Sequence, residues 1–414
     1  MVPTRTPQPW AQASEERVCL GITGLHIPRF SEGPVGLLAA TAEWARSDMA
    51  FMKKGRVLES DATWTGYRVE SDCLRFGGFG EIYAGVEVDS RGRARRQVAI
   101  KVSEDPVTWH GESYFGLLLA GNEDVVSHLD AFAIIEGTGR RRRIVYVLIL
   151  EWMDDGTVLD ALDGTGRTLP DSEGQVKKQI VKLLKVLNLL HSSGICHGDI
   201  TPANVFFRGR SLVLGDLGIA KQSLNGKPVE LEGQTPPDYC PLDVVGFTWS
   251  LSEDTYQVGL LALSLVAGQE VTSEEVCSEV LRSLDASDHF KGWIRQATLG
   301  RFQRFNNAGE ALDALTTPPP TPARAPRTLQ GEVIVFTGRL SITRAVATKL
   351  ARKHGARVQS DVNSNTTCLV RGDASPLQIG DDHSKKRYEA ERLMRSGQRF
   401  AYMSEAQFIR LVNK

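Results

Sequence analysis

Between Cys196 and Lys221 the chain carries an acid, an amide and a second acid at a spacing that lets them meet: Asp199, Asn204 and Asp216. Carboxylate and amide oxygens suit a hard cation such as Mg²⁺, which takes oxygen ligands and brings phosphates with it. The elements that must position them are short. Two apolar runs, 205–207 and 212–214, read as strands around the turn Arg208-Gly209-Arg210-Ser211. Asp199 and Asn204 precede the first strand and Asp216 follows the second, so one hairpin brings all three to one spot. A hairpin with solvated Asp and Asn in its turns would explain either half alone. Both halves at this spacing favour convergence.

Upstream, the spacing predicts a helix from Asp171 or Ser172, either of which can cap it, to about His191. Val176, Ile180, Leu183, Leu184, Leu187 and Leu190 recur at helical spacing as a buried face, and Gly194 ends it. Earlier still, Leu74-Arg75-Phe76-Gly77-Gly78-Phe79-Gly80-Glu81-Ile82-Tyr83 is a glycine-rich turn between two alternating segments. Its backbone N–H groups can approach phosphate oxygens. Val98-Ala99-Ile100-Lys101 follows it. Ile144 to Leu150 is a continuous apolar run, read as a buried strand, that ends in Glu151-Trp152-Met153-Asp154-Asp155-Gly156.

On these residues the chain resembles the protein kinase family, from about Tyr67 to Leu315. His197-Gly198-Asp199-Ile200-Thr201-Pro202-Ala203-Asn204 resembles the catalytic loop H-R-D-x-x-x-x-N, and Asp216-Leu217-Gly218 resembles D-F-G. Val98 to Lys101 looks like the strand that carries the phosphate-binding lysine. The resemblance implies an α+β two-lobed fold, with a small lobe at 67–153, a large lobe at 154–315, and ATP and Mg²⁺ as cofactors. It implies that Asp199 orients a substrate hydroxyl and accepts its proton, and that Asn204 and Asp216 hold Mg²⁺. Lys101 is expected on the α- and β-phosphates, paired with a helix glutamate. Glu112 fits that glutamate best, ahead of Glu104 and Glu123. Gly77, Gly78 and Gly80 line the phosphate turn. Ile82, Ala99 and Phe206 sandwich the adenine, unless they are simply core, and the backbone of Glu151 and Met153 bonds its edge. His197 is expected to brace the loop.

Three departures stand out. Arg75 replaces the first glycine of G-x-G-x-x-G, which is expected to stiffen the turn. Gly198 stands where many kinases have the arginine that grips a phosphorylated activation loop, so switching by loop phosphorylation is less expected here. Thr201 stands where Ser/Thr kinases have a lysine near the γ-phosphate. An H-G-D loop without that lysine also resembles small-molecule phosphotransferases. The next stretch favours a protein acceptor. From Asp216 to Asp243 there are 28 residues, room for an activation segment and a peptide-docking surface. Gly233-Gln234-Thr235 and Tyr239-Cys240-Pro241-Leu242-Asp243 are a degenerate match to the end of that segment. Ser252 to Gly259 resembles the helix start whose Asp braces the catalytic loop. Arg304 is expected to pair with Asp243, a pairing that small-molecule kinases usually lack.

Two arginine clusters, at 91, 93, 95, 96 and at 140–143, are expected to share one rim of the small lobe far from ATP. Eight arginines there would suit nucleic acid or a phosphorylated partner. The alternative is two solvated hairpin tips.

Residues 316–328 contain five prolines and read as an extended spacer of up to ~40 Å, with no helix or sheet. From 329 to 414 strand and helix alternate, implying a small parallel sheet flanked by helices. The expected strands are Val333 to Phe336, Thr366 to Val370 and Phe400 to Tyr402. The expected helices run from Ser341 to about His354, from Lys386 to Ser396, and from the capping box Ser404-Glu405-Ala406-Gln407 onward. Phe336-Thr337-Gly338, Thr343-Arg344, His354-Gly355-Ala356 and Thr366-Thr367-Cys368-Leu369-Val370 make this segment resemble the BRCT family, α/β in fold. It looks nearest the single modules of bacterial DNA ligases and clamp loaders. The resemblance implies a phosphate site at Thr337 and Gly338, with Lys386 or Lys385 as the third group. A module that packs or binds protein by another face is the alternative.

Composition adds few constraints. The chain has 414 residues and a formal net charge of −1, with no global pull toward nucleic acid or membrane. Cys19, Cys73, Cys196, Cys240, Cys277 and Cys368 are scattered without a C-x-x-C pair, as expected for reduced thiols in the cytoplasm. The longest apolar stretch, Val258 to Ala267, is too short to span a bilayer. Residues 1–66 are an extension of unknown role, with a helix expected from Gly36 to Lys54. Together these features point to a bacterial Ser/Thr protein kinase. Its BRCT domain is expected to direct it to a phosphoprotein or a DNA end, and the pairing of modules suggests DNA-damage or phage response. A small-molecule phosphotransferase and a non-catalytic scaffold are the competing readings.

Overall fold

In the computed structural model the described residues are 51–413 apart from 78–79, 138, 140–141, 224–226, 232–236, 245–247, 301–303, 318–320 and 373–384. The expected helix at 36–54 therefore lies largely outside them. Its last residues, 51–54, are not helical. Met52 is buried in the small-lobe core instead, with Phe51 packed against it.

The small lobe is a curled antiparallel sheet. Its strands are β1 (Val57–Glu59), β2 (Gly66–Val69), β3 (Arg75–Gly77), β4 (Gly80–Val88), β5 (Ala94–Ser103), β6 (His128–Glu136) and β7 (Arg143–Glu151), with helix α1 (Pro106–Leu118) between β5 and β6. The order is β1-β2-β4-β5-β7-β6, and β3 pairs with β4. Alternation sorts the two faces. Val98, Ile100 and Val102 are buried with Tyr83, Val145, Val147 and Ile149. Ala99 and Lys101 project from the opposite face.

The large lobe is mostly helical. It comprises α2 (Val158–Leu162), α3 (Glu173–Ser192), the short strands β8 (Ile195–Cys196), β9 (Val205–Arg208), β10 (Ser211–Leu214), β11 (Lys221–Gln222), β12 (Val229–Glu230) and β13 (Thr248–Trp249), and helices α4 (Leu251–Ala267), α5 (Ser278–Ser283), α6 (Asp288–Ala297) and α7 (Ala308–Thr316). Ser172 caps α3 through Gln175 N–H. Leu183, Leu184, Leu187 and Leu190 of α3 pack with Leu260, Leu261 and Leu263 of α4 in one core. Helix α4 is buried on all sides from Ser252 to Leu265, so its polar residues must find partners inside the protein.

The C-terminal region holds β14 (Val333–Thr337), α8 (Arg344–Lys353), β15 (Arg357–Gln359), β16 (Cys368–Arg371), α9 (Lys385–Arg395), β17 (Ala401–Ser404) and α10 (Glu405–Val412). Its sheet is parallel throughout, in the order β15-β14-β16-β17. Ile334, Phe336 and Val370 pack on one face, and Val335, Leu369 and Phe400 on the other. Burial on both faces explains why β14 reads as an unbroken apolar run. Two expectations change here. Helix α8 is capped by Thr343, because Ser341 gives its N–H and hydroxyl to Glu405. The proline-rich segment does enter a sheet. Ala323 forms a parallel bridge to Ala401, its N–H donating to Phe400 O at 2.7 Å. An edge strand offers unpaired backbone groups, and one alanine with a free N–H suffices to meet them.

The shared patch of eight arginines is not formed. β5 runs antiparallel to β7, and Ser103 at its end pairs with Tyr146 near the start of β7. The β6–β7 turn therefore lies at the far end of β5 from the β4–β5 turn, ~30 Å away at strand rise. At the β4–β5 turn, Arg93 pairs with Asp89, and Arg96 with Glu87. Arg143 bonds Glu104 and lies over the Phe51 ring. Arg140 and Arg141 lie outside the described residues.

Candidate active site

Lys101 is brought into the cleft by β5 and stays almost fully buried. Its Nζ lies 2.7 Å from Glu112 Oε2, on α1, and 2.9 Å from Asp216 Oδ1. Burial alone would lower this ammonium, but the two carboxylates outweigh it and raise it. Burial also acts on both acids. The Lys101 charge and hydrogen bond overcome it at Asp216, which is held below the usual carboxylate range. At Glu112 burial wins and pushes the carboxyl up to about 7. The Asp216 backbone is left-handed, φ 53°, a conformation that costs ~1–2 kcal/mol outside glycine. Gly218 N–H bonds Asp216 Oδ1 at 3.1 Å and helps hold it there.

The catalytic-loop segment is fixed from below by α4. Asp254, fully buried, accepts the backbone N–H of His197 at 2.7 Å and of Gly198 at 2.9 Å. It also accepts Trp249 Nε1–H at 2.8 Å and meets His191 Nε2 at 3.0 Å. Gln257, one turn later, takes the Ile200 N–H and gives its amide to Gly198 O. Ser250 and Glu253 form the capping box that starts this helix. His197 is buried, which pushes its imidazole down, so the ring is neutral. Its Nδ1 accepts Asp199 N–H, leaving Nε2–H to donate to Gly215 O at 3.2 Å. That bond ties the loop to the strand that ends in Asp216.

Asp199 is placed by this frame. Asn204 Nδ2 donates to Asp199 Oδ2 at 2.7 Å and to its backbone carbonyl at 3.2 Å. Asp199 Oδ1 is buried and has no hydrogen-bond partner among the described residues. Burial pushes this carboxyl up to about 7, helped by the Asp216 charge and opposed by Asn204, Lys101 and Arg75. A buried acceptor without a donor is costly and is satisfied by an incoming hydroxyl or cation.

Among the described residues, no group of three or more His, Cys, Asp or Glu side chains is arranged to hold a metal. The oxygen donors here are the Asp216 carboxylate and the Asn204 amide, whose NH₂ is spent on Asp199 and whose oxygen is left for a cation. Two hard oxygens completed by phosphate and water fit Mg²⁺, which is rarely caged by protein alone.

The nucleotide residues expected from the sequence distribute as follows. Gly77 and Gly80 are opposed across β3 and β4, and Gly78 lies outside the described residues. Gly80 has φ 118°, and a Cβ there would meet Val102 O at 2.2 Å, so only glycine fits. Ile82 pairs with Lys101, and Ala84 with Ala99, so these side chains share the cleft face. Phe206 lies on β9 between buried Val205 and Phe207, turned away from that core. Glu151 ends β7. Its N–H is committed to Ser127 O and its carboxylate to Arg208, so a purine edge would meet its carbonyl. Met153 O accepts Gly156 N–H, which leaves its own N–H for the purine.

Three further features bear on the site. Arg304, fully buried, lies 2.6 Å from Asp243 and 3.8 Å from Glu253, so the expected pairing is present. Thr201 is buried beneath the loop. Gly198 has φ 85°, and a Cβ there would meet Leu231 Cδ1 at 2.8 Å and Ile219 Cδ1 at 3.1 Å. Leu231 and Ile219 belong to an apolar cluster with Cys196 and Trp249. An apolar plug therefore fills the space beside Gly198.

In the C-terminal region, Thr337 ends β14 and Gly338 follows with φ 73°. Lys386 Nζ donates to Phe336 O at 3.1 Å, and Arg344 Nη1 to the same oxygen at 2.7 Å. Arg344 also reaches Gly338 O at 3.1 Å. Burial, with the Arg344 charge, pushes the Lys386 ammonium down. Two cations meet on one carbonyl beside Thr337, chemistry suited to an anion. Arg344 was legible as a motif residue but not as part of this site. Its role depends on α8 beginning at that residue. The Lys385 side chain lies outside the described residues.

Comparison with known proteins gives two family matches. The protein kinase domain model matches residues 72–307, and the BRCA1 C Terminus (BRCT) domain model matches residues 325–392. The chain is similar to the serine/threonine-protein kinase PknA of Nostoc sp., 28% identical over 286 residues, covering 63% of this chain and 50% of that protein. It is similar to serine/threonine-protein kinase B of Synechocystis sp., 29% identical over 171 residues, covering 36% and 29%. It is also similar to the serine/threonine-protein kinase PknB of Mycobacterium leprae, 24% identical over 207 residues, covering 48% and 32%. The chain spans half or less of the length of each of these relatives. Among the described residues no helix is long and apolar enough to cross a membrane.

Proposed function

The chain belongs to the protein kinase family and carries a C-terminal BRCT domain, and from that premise we propose that it transfers the γ-phosphoryl group of ATP to Ser/Thr hydroxyls of a protein. The observation that carries the proposal is the unpartnered, buried Asp199 Oδ1 beside the Lys101, Glu112 and Asp216 triad. Asp199 accepts the hydroxyl proton as the acceptor oxygen bonds to the γ-phosphorus. The bond from that phosphorus to the bridging oxygen breaks, and ADP leaves. Lys101 positions the α- and β-phosphates, and Glu112 fixes Lys101. Asn204 and Asp216 are the residues that would hold Mg²⁺, which when bound neutralises charge on the β- and γ-phosphates. Gly77, Gly78 and Gly80 line the phosphates. Ile82, Ala99 and Phe206 enclose the adenine, with Glu151 and Met153 at its edge.

The Arg304–Asp243 pair supports a protein acceptor, because it anchors the end of the segment that a peptide would lie on. Gly198 and Thr201 favour a small-molecule acceptor as the second reading. The BRCT domain directs the kinase to a phosphorylated protein through Thr337, Gly338 and Lys386. A DNA end is the alternative ligand, and a role in DNA-damage or phage response rests on the pairing of the two modules. The kinase operates in the cytoplasm. The test is Mg²⁺-dependent transfer from labelled ATP by the purified chain, offered protein and small-molecule acceptors, with Asp199→Ala as control. Equal labelling by wild type and Asp199→Ala refutes the assignment.

A further inference from the structure

Two departures from the kinase pattern lie on the two sides of the cleft. The catalytic loop has Thr201, buried and uncharged, where the resemblance expects a lysine beside the γ-phosphate. The glycine-rich turn has Arg75 where the resemblance expects a glycine. The sheet register relates Arg75 to Lys101. Arg75 is opposed to Ile82, and Ile82 to Lys101. Directly opposed residues of antiparallel strands project from the same face, ~5 Å apart. Arg75 and Lys101 therefore stand in one row on the cleft face, with one strand between them.

The two cations then diverge. Lys101 is held by Glu112 and Asp216. The Arg75 guanidinium crosses to the other lobe, where Nη1 donates to Ala203 O at 3.4 Å. Ala203 lies between Thr201 and Asn204 in the loop itself. A guanidinium has five N–H donors in a planar fork, so one bond to a carbonyl leaves the rest for an anion. Without it, Lys101 is the one cation among the described residues that pairs with Glu112 and Asp216, a poor setting for a phosphoryl group in transfer.

We propose that Arg75 is a catalytic residue of the transfer, contacting the γ-phosphoryl oxygens from the small lobe in place of the lysine that Thr201 displaces. The inference rests on the kinase reading. It differs from the stiffening role expected of Arg75 from sequence, because a stiffener would act alike on every nucleotide.

The test uses the full chain as Arg75→Gly, Arg75→Lys and the double variant Arg75→Gly/Thr201→Lys. Affinities for ADP and for the β,γ-imido analogue of ATP, each with Mg²⁺, are measured by calorimetry. Transfer from ATP to myelin basic protein is measured alongside. Arg75→Gly is expected to weaken the imido analogue about tenfold and leave ADP unchanged, since only the analogue carries a γ-phosphate. Its kcat is expected to fall about 10- to 100-fold with KM for the acceptor unchanged. Arg75→Lys should retain most of the discrimination between the nucleotides, and the double variant should recover it. Equal weakening of both nucleotides, or no change in either, overturns the proposal. A wild-type chain that transfers no phosphate refutes the kinase reading instead, while the ADP-to-analogue ratio still reports on Arg75.

Discussion

In the kinase cleft the buried Glu112 and the part-buried Asp216 share one ammonium beside the buried Asp199, whereas at the end of β14 two cations, Arg344 and Lys386, share one carbonyl. The first site is short of positive charge and the second of negative charge. The first imbalance is largely buried and the second part-exposed, and a ligand of opposite sign would relieve either. They also differ in how they are held. The cleft loop hangs on side chains of α4, four of its bonds ending on Asp254 and Gln257. The second site is built from the ends of β14, α8 and α9, with backbone carbonyls as its anchors. Catalysis of transfer requires fixed geometry, and binding a phosphate requires mainly charge and donors.

The sharpest way to break this contrast is Asp199→Ala. It is expected to lower phosphate transfer about 10²- to 10⁴-fold, measured with labelled ATP, with nucleotide affinity nearly retained. A parallel collapse of nucleotide affinity would mean that Asp199 is structural. Next is Lys386→Met, expected to weaken a phosphoserine peptide about tenfold by fluorescence anisotropy. Unchanged affinity would move the anion site elsewhere.

The third prediction concerns pH. Asp199 titrates at about 7 in the fold, against ~3.9 in an unfolded chain. A raised carboxyl contributes stability that is intact below its unfolded value and lost as pH rises through about 7. Asp199→Asn should therefore raise Tm over wild type, without nucleotide, by a few °C at pH 8 and by less at pH 5. A gain independent of pH would show that charge burial is not the cause. The smallest effect is expected from Arg93→Ala/Arg96→Ala. Exposed pairs of this kind contribute little to stability. Calorimetry should show Tm within about 2 °C of wild type, and retention on DNA-cellulose should not change. A loss of retention would reinstate a basic surface at that turn.

The catalytic loop and its partners could be read from sequence because their chemistry is local. Asp199, Asn204 and Asp216 are placed by one hairpin, and Lys101 and Glu112 lie on consecutive elements. Asp254 and Arg304 were also legible, through the resemblance of Ser252 to Gly259 and of Arg304-Phe305 to the family pattern. What escaped depended on register and on contacts across the cleft. The arginine turns were expected together, but strand direction separates them along β5. Arg75 reads as a loop residue until its opposition to Ile82 is known. β15 is three residues long, too short for a periodic signal. Ala323 entered a sheet despite five nearby prolines because one donor was enough.

Gly198 has a consequence for how this enzyme can change. Its left-handed backbone and the Leu231 and Ile219 methyls beside it oppose any larger side chain. An arginine introduced there alone would strain the loop that carries Asp199 and would have to unseat a buried leucine. A single change to arginine at Gly198 therefore works against both the backbone and the apolar cluster beside it.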